Sequence, residues 1–158
     1  MANSSKIQYK RSIASYLQEL KELTGKDIDP ISLCSLEEIE EIRQKSLPIK
    51  DANKVEFTMK FVEKSSERFR NFIASLDKAN NSSVYVWTDK SNVCGLYRVN
   101  SINAINFSFA FDVNTNGIVV FLTDDFEDKL LLDFYRDSKE EEMLEVVIQG
   151  RNWSKISF

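Results

Sequence analysis

The side chains with the greatest capacity for chemistry are carboxylates concentrated in one stretch, residues 122–150. The stretch holds ten carboxylates and three cationic side chains, so its net charge is −7, whereas the whole 158-residue chain carries −4. The carboxylates are Asp124, Asp125, Glu127, Asp128, Asp133, Asp137, Glu140, Glu141, Glu142 and Glu145. Grouped carboxylates can exchange protons with a substrate, hold a hard cation or attract a basic partner.

None of these carboxylates belongs to a complete catalytic or metal-binding pattern. Residues 124–128 have the charge to bind calcium or magnesium, but they lack the central glycine and alternating oxygen ligands of a calcium loop. Asp133 and Glu145 are arranged like the carboxylates of one large nuclease class, but Val147 stands where that class has a lysine. No carboxylate is distinguished as the acid or base of a glycosidase. We therefore predict no catalytic residue, no metal and no cofactor.

Two features of the composition narrow the chemistry further. The chain has no histidine, which removes the commonest general base and every Ser-His or Cys-His pair. Its four glycines are far apart, which excludes a phosphate-binding loop and a dinucleotide fingerprint. Cys34 and Cys94 lie in apolar contexts without a histidine partner, so we predict that both are reduced and buried.

Charge also disfavours nucleic acid as a partner. The sequence pI is about 5.0, whereas binding to phosphates requires a basic surface. Tyr85, Trp87 and Tyr97 have few cations nearby, so we predict that they pack in the core or contact a protein. The first twelve residues contain no apolar signal-peptide region, and no apolar run approaches the roughly 18 residues of a membrane span. We expect a soluble, cytoplasmic protein.

The elements that position the acidic stretch fall into two halves of one predicted domain, 1–158. Residues 1–80 show helical spacing, and residues 81–158 show the alternation typical of strands. In the first half, one apolar stripe predicts a helix that ends at Gly25. This stripe consists of Ile13, Tyr16, Leu17, Leu20 and Leu23.

Two more helices are predicted in the first half. Ser35 and Glu38 form a capping box at the start of the second helix, and Pro48 separates it from the third. The third pattern extends over residues 50–79 and is interrupted at Ser65–Ser66, which predicts a kink or a close crossing of another element. Its apolar stripe consists of Val55, Met59, Val62, Phe69, Phe72, Ile73 and Leu76.

The second half predicts six strands, at 83–88, 93–99, 105–113, 118–123, 129–136 and 143–149. Because the connections are too short for crossover helices, the strands should form an antiparallel meander. We expect Trp153 and Phe158 to close the core. The predicted fold class is α+β, in which N-terminal helices pack on a C-terminal antiparallel meander sheet of about five to six strands.

The acidic stretch itself predicts a hairpin with a specific register. When the runs LLLDFY and MLEVVI pair throughout, Asp133 lies opposite Glu145 on a mixed face. Such a like-charge pair costs a few tenths to about 1 kcal/mol of stability. We expect a cation to satisfy it, either from a partner or from Lys129 or Arg136. The remaining pairs are Leu130 with Ile148, Leu131 with Val147, Leu132 with Val146, Phe134 with Leu144, and Tyr135 with Met143.

The chain resembles the immunity proteins of bacterial contact-dependent growth inhibition and related polymorphic toxin systems. The resemblance rests on size, lack of histidine, acidic balance, a helical front half and a sheet ending in DKLLLDFYRDSKEEEMLEVVIQGRNW. It implies a cytoplasmic protein without enzymatic activity that binds and neutralises one cognate toxin, often a basic nuclease. The predicted partner-binding residues are Asp124, Asp125, Glu127, Asp128, Asp133, Tyr135, Arg136, Glu145, Trp87 and Tyr97.

Two other functions are compatible with the sequence. One is an enzyme with an unrecognised carboxylate or metal site, and the other is an antitoxin or adaptor that binds a different basic protein. A clustered negative charge can also serve solubility alone.

Overall fold

The computed structural model describes residues 2–51 and 53–158, with side chains described for 6–49 and 53–158. The predicted α+β class is confirmed, since the described residues form four α-helices and a six-stranded antiparallel sheet. The helices are α1 (Ala2–Thr24), α2 (Leu36–Ser46), α3 (Glu67–Ala79) and α4 (Ser91–Cys94). The strands are β1 (Lys54–Lys60), β2 (Val84–Trp87), β3 (Tyr97–Val99), β4 (Ile118–Thr123), β5 (Asp128–Arg136) and β6 (Glu142–Gly150).

The strand order of the sheet is β1-β6-β5-β4-β2-β3. Strands β4, β5 and β6 follow one another as the predicted meander, and each bound lies within one residue of its expected position. β6 is an interior strand because it pairs with β5 on one side and with β1 on the other. The edge strand β1 comes from the half of the chain that was predicted to be helical.

The prediction of one long helix over residues 50–79 is wrong. Its middle forms β1 and a short 3-10 helix (Phe61–Ser65), and the helix α3 occupies only its last part. Alternate apolar residues of this segment also fit a strand, and pairing with β6 selects that conformation. The predicted interruption is the start of α3, where the Ser66 hydroxyl accepts a 3.2 Å hydrogen bond from Phe69 N. Ala52 lies outside the described residues.

The predicted strand at residues 105–113 is also wrong. The alternate apolar side chains of this segment are buried as expected, but its backbone is irregular. Asn106 instead binds the end of α1, because its backbone N–H donates to Leu23 O at 2.7 Å and its side-chain amide donates to Glu22 O at 3.0 Å. The predicted strand at residues 93–99 divides between the end of α4 and the shorter β3.

Helices α1 and α3 pack on one face of the sheet, which we call the inner face. Trp153 is fully buried in this core, and its indole N–H donates to Leu76 O at 2.9 Å. The ring of Phe158 stacks on Phe57 of β1 at a centroid distance of 4.8 Å. These contacts confirm that Trp153 and Phe158 close the core.

Helix α2 packs on the opposite, outer face, where β4 and β2 run side by side. Ile39 and Ile42 of α2 form a second apolar cluster with Leu122 of β4, and Tyr85 and Trp87 of β2 pack against this cluster. In the part of the chain that the structure describes, the cluster includes no residue of β5, β6 or β1. The outer face therefore continues beyond the area that α2 covers.

Candidate functional site

The β5–β6 hairpin has the register that the sequence predicts. Leu132 pairs with Val146, and Asp133 pairs with Glu145. The neighbouring positions on the inner face, such as Leu130, are fully buried in the core. Because side chains alternate along a strand, the acidic pair points to the outer face.

Asp133 and Glu145 lie in the middle of a row that crosses four strands. Ile118 of β4 pairs with Asp133, and Thr58 of β1 pairs with Glu145. Both acidic residues are half-buried, whereas Thr58 is exposed. Two neighbouring carboxylates are therefore flanked on each side by a neutral residue, and their row contains no cation.

The two carboxylates have no direct ionic partner within the described side chains, since no ion pair there involves Asp133 or Glu145. Lys54 of β1 binds Glu56 instead, at 2.6 Å. The hydrogen bond and the charge of Glu56 raise the pKa of Lys54, and the charge of Glu145 adds a smaller contribution. Glu145 thus acts on Lys54 through its charge without forming an ion pair with it, and the two carboxylates remain opposite each other across β5 and β6.

The rows on both sides of the acidic row are apolar on β5 and β6, and each ends in a charged residue of β1, Lys60 in one and Glu56 in the other. Tyr135 pairs with Met143 in one row, and Leu131 lies between Val147 and Val120 in the other. Tyr135 is 38% exposed, so its ring is accessible from the outer face. We define the outer-face site by its six accessible members, which are Ile118, Leu131, Asp133, Tyr135, Met143 and Glu145.

The structure places Arg136 outside the outer-face site. It follows Tyr135 on β5 and therefore points to the inner side, where its guanidinium lies 4.8 Å from the ring centroid of Phe111. Its Nη2 also donates to Glu142 Oε2 at 3.1 Å. Arg136 is therefore occupied at the far end of the hairpin and does not neutralise the acidic pair.

Asp128 is fully buried, so its carboxylate is not available to a partner. Oδ1 accepts from the backbone N–H groups of Asn152 and Trp153, each at 2.8 Å, and Oδ2 accepts from the side-chain amides of Asn80 at 2.7 Å and Asn152 at 2.9 Å. Four donors hold one carboxylate, and they connect the start of β5 to α3 and to the segment after β6. The prediction of Asp128 as a docking residue is therefore replaced by a structural role.

The other acidic residues of the same turn are also engaged within the fold. Asp124 lies 3.7 Å from the Arg98 guanidinium. Burial acts to raise the pKa of Asp125, but hydrogen bonds from donors that include Glu127 N, Asn80 and Ser82 outweigh it and lower the pKa. Glu127 is half-buried beside them. This turn, which we call the 124–128 turn, is stabilised by its own contacts.

The two predicted aromatic anchors are packed within the protein. Trp87 lies against the α2 cluster, with the Arg43 guanidinium 5.5 Å from its ring centroid. Tyr97 is half-buried against the inner core. Neither residue is adjacent to Asp133, so Tyr135 is the predicted aromatic that the fold places in the outer-face site.

The two cysteines are free thiols that lie partly or fully within the fold. Cys94 is buried as predicted, but Cys34 is only half-buried. Burial raises the pKa of each thiol, which keeps it protonated and weakly nucleophilic at neutral pH.

No three metal-ligating side chains are grouped together in the described part of the chain. Within residues 2–51 and 53–158, none of the helices has the length and apolar composition of a membrane-spanning segment.

One member of the outer-face site, Ile118, was not predicted, whereas the predicted pairs of Leu131 with Val147 and of Tyr135 with Met143 already placed Leu131 and Met143 beside the acidic pair. Ile118, Leu131 and Met143 contribute its apolar surface, and Thr58 borders it. The alternation within β4 could have identified Ile118 as an outer-face residue. Thr58 could not be found in that way, because its segment also fits a helix.

Comparisons with known proteins give no further information on this site. No family model matches the chain, and neither the curated proteins nor the solved structures include a significant match.

Proposed function

We propose that this protein is an immunity protein that binds and neutralises a cognate bacterial toxin in the cytoplasm, and that its outer-face site contacts a basic surface of that toxin. The observation that supports this function is the directly opposed pair Asp133 and Glu145, which lacks an ionic partner among the described residues and is bordered by accessible apolar side chains. A protein that acts by binding needs such a surface and no catalytic group.

A lysine or arginine of the toxin would relieve the repulsion between the two carboxylates. The gain is larger in a complex than in the free protein, because the surrounding apolar side chains exclude water and lower the local dielectric. Tyr135 is suited to act as an anchor, since aromatic residues at the centre of an interface contribute disproportionately to affinity. The proposed interface thus combines charge complementarity with an apolar surround.

The proposal is tested by gel filtration of this protein with the C-terminal domain of a secreted protein that is encoded by a neighbouring gene. We expect the protein and this domain to co-elute as a stoichiometric complex. We also expect the protein to protect cells that express the domain. The double variant Asp133→Asn, Glu145→Gln should weaken the complex by about tenfold or more, because two charge-assisted contacts are lost.

A matched control is the double variant Glu140→Gln, Glu141→Gln, which removes the same charge from the exposed hairpin loop. It should leave the affinity nearly unchanged. Equal weakening by both variants would indicate that only net charge matters. The absence of both complex formation and protection with the unaltered chain would rule out the proposed function.

A further inference from the structure

A second potential binding site lies on another part of the molecule, where α1, the segment before α2 and α4 meet. These elements enclose an open pocket of about 410 Å³, within the range of about 300–1,000 Å³ that is typical of small-molecule sites. Its walls are predominantly apolar and include Tyr9, Leu36 and Val93, with the sulfur-bearing side chains of Cys34 and Cys94. None of these residues belongs to the outer-face site.

The apolar walls are accessible to solvent. Leu36 is 48% exposed and Tyr9 is 36% exposed. Grouped apolar side chains that remain exposed are characteristic of sites that bind a ligand or partner. Burial raises the pKa of both Cys34 and Cys94, so the thiols stay neutral and add no negative charge to the pocket.

Two cations border this apolar space. Lys6 and Lys10 both line the pocket and are four residues apart on α1, so their side chains project from the same side of the helix. Both are exposed, and no ion pair among the described side chains includes either of them. Like charges at this spacing destabilise a helix slightly. The pair therefore offers no advantage to the helix itself and is available to an anion.

We propose that this pocket binds a small anionic amphiphile, in which an aliphatic chain of medium length ends in a carboxylate. The chain would lie against Leu36, Val93 and Tyr9, and the carboxylate would lie between the ammonium groups of Lys6 and Lys10. The apolar walls supply most of the affinity and the two lysines select the charge of the head group. This inference does not depend on the proposed function of the outer-face site.

The test is a titration of the ¹⁵N-labelled protein with sodium decanoate, followed by NMR. We expect saturable shifts at the amides of residues 6–10, 34–36 and 93–94. Decyltrimethylammonium, which has the same chain and a cationic head, should bind at least about tenfold more weakly. The double variant Lys6→Glu, Lys10→Glu should lose decanoate binding by a similar factor, and Leu36→Gln should weaken both ligands because it removes an apolar wall.

The matched control is Lys139→Glu, Lys155→Glu, which changes the net charge equally at exposed lysines outside the pocket. It should bind decanoate as the unaltered protein does. Three results would overturn the proposal. They are equal affinity for decanoate and decyltrimethylammonium, an equal loss of decanoate affinity in the two lysine double variants, and the absence of chemical-shift changes at the pocket amides. A co-elution experiment with the toxin would be unaffected by any of these outcomes, so the two proposals fail separately.

Discussion

Asp133 of β5 and Glu145 of β6 are directly paired across the outer face, and no described side chain forms an ion pair with either of them. A protein selected for stability alone would place opposite charges at such a cross-strand pair. The proposed function accounts for this pair, because a basic partner would neutralise both carboxylates. The stability of the free protein should therefore improve when the repulsion is removed.

We expect Glu145→Lys to increase the free energy of unfolding by a few tenths to about 1 kcal/mol, because an attractive cross-strand pair replaces a repulsive one. Urea denaturation at low ionic strength measures this change, and added salt should reduce it. Glu141→Lys, in the exposed loop, is the control and should have little effect. If Glu145→Lys instead destabilises the protein, the carboxylate has a stabilising contact in the fold.

Asp128 should contribute strongly to the stability of the fold. Asp128→Ala leaves four hydrogen-bond donors without their acceptor, two of them backbone N–H groups at Asn152 and Trp153, and we expect a loss of about 2–4 kcal/mol. Thermal or urea unfolding provides the measurement. Asp124→Ala, which removes a more exposed carboxylate of the same turn, should cost less than about 0.5 kcal/mol. Similar losses in both variants would contradict the structural role of Asp128.

The position of Gly150 should accept no side chain. Its φ is +132°, and an added Cβ would lie 2.5 Å from Asp128 Oδ1 and still closer to Glu127 O. We expect Gly150→Ala to cost at least about 2–3 kcal/mol of stability. Gly25 also has positive φ, at +71°, but has open space around the Cβ position, so Gly25→Ala should cost only about 1 kcal/mol. Urea denaturation of the two variants would compare these effects, since Gly150→Ala combines a steric conflict with backbone strain and Gly25→Ala has backbone strain alone.

Lys64 should make stability depend on alkaline pH. Lys64 is 3% exposed, and its Nζ donates to Phe109 O at 2.7 Å and lies 3.9 Å from the Phe61 ring centroid. Burial lowers the pKa of Lys64 from 10.5 to about 8, although the charges of Glu22 and Glu142 act to raise it. Between pH 8 and 10.5 the unfolded chain binds more protons at this residue than the folded chain does. The contribution of Lys64 to the free energy of unfolding should therefore rise with pH across this window.

The amplitude of that rise should be on the order of 1–3 kcal/mol relative to Lys64→Met, which lacks the titrating group. Urea denaturation at several pH values between 7 and 10.5 would measure it. Lys78→Met, at an exposed position of α3, is the control and should keep the full dependence on pH. A rise that is the same in Lys64→Met and in the unaltered protein would contradict this assignment.

Where local pattern and tertiary pairing agree, the sequence was sufficient to predict the structure. The β5–β6 hairpin combines strict alternation with long apolar runs, so a single register buries one face, and Asp133 and Glu145 follow from it. In β1, Val55 and Met59 fit a helical stripe, while Val55, Phe57 and Met59 also fit a strand. Pairing with β6, which is remote in sequence, decided between the two conformations.

The remaining differences also have tertiary causes. Segment 105–113 has the alternation of a strand, but Asn106 donates hydrogen bonds to the carbonyls at the end of α1 instead of to a neighbouring strand. The buried Asp128 could not be distinguished from its acidic neighbours because its four donors come from α3 and from the segment after β6. The apolar pocket escaped prediction because its walls come from three separate segments of the chain.

The position of β6 between β5 and β1 has a consequence for protein synthesis. β1 lies at the edge of the sheet and pairs with β6, whose residues are translated more than 80 positions later. On the ribosome, the emerging β1 has no strand to join until residues 142–150 have left the exit tunnel, and such long-range pairing makes folding slow. We therefore expect the outer-face site to be completed only after most of the chain has been made. Under the proposed function, newly made chains would bind a toxin only after the sheet has folded.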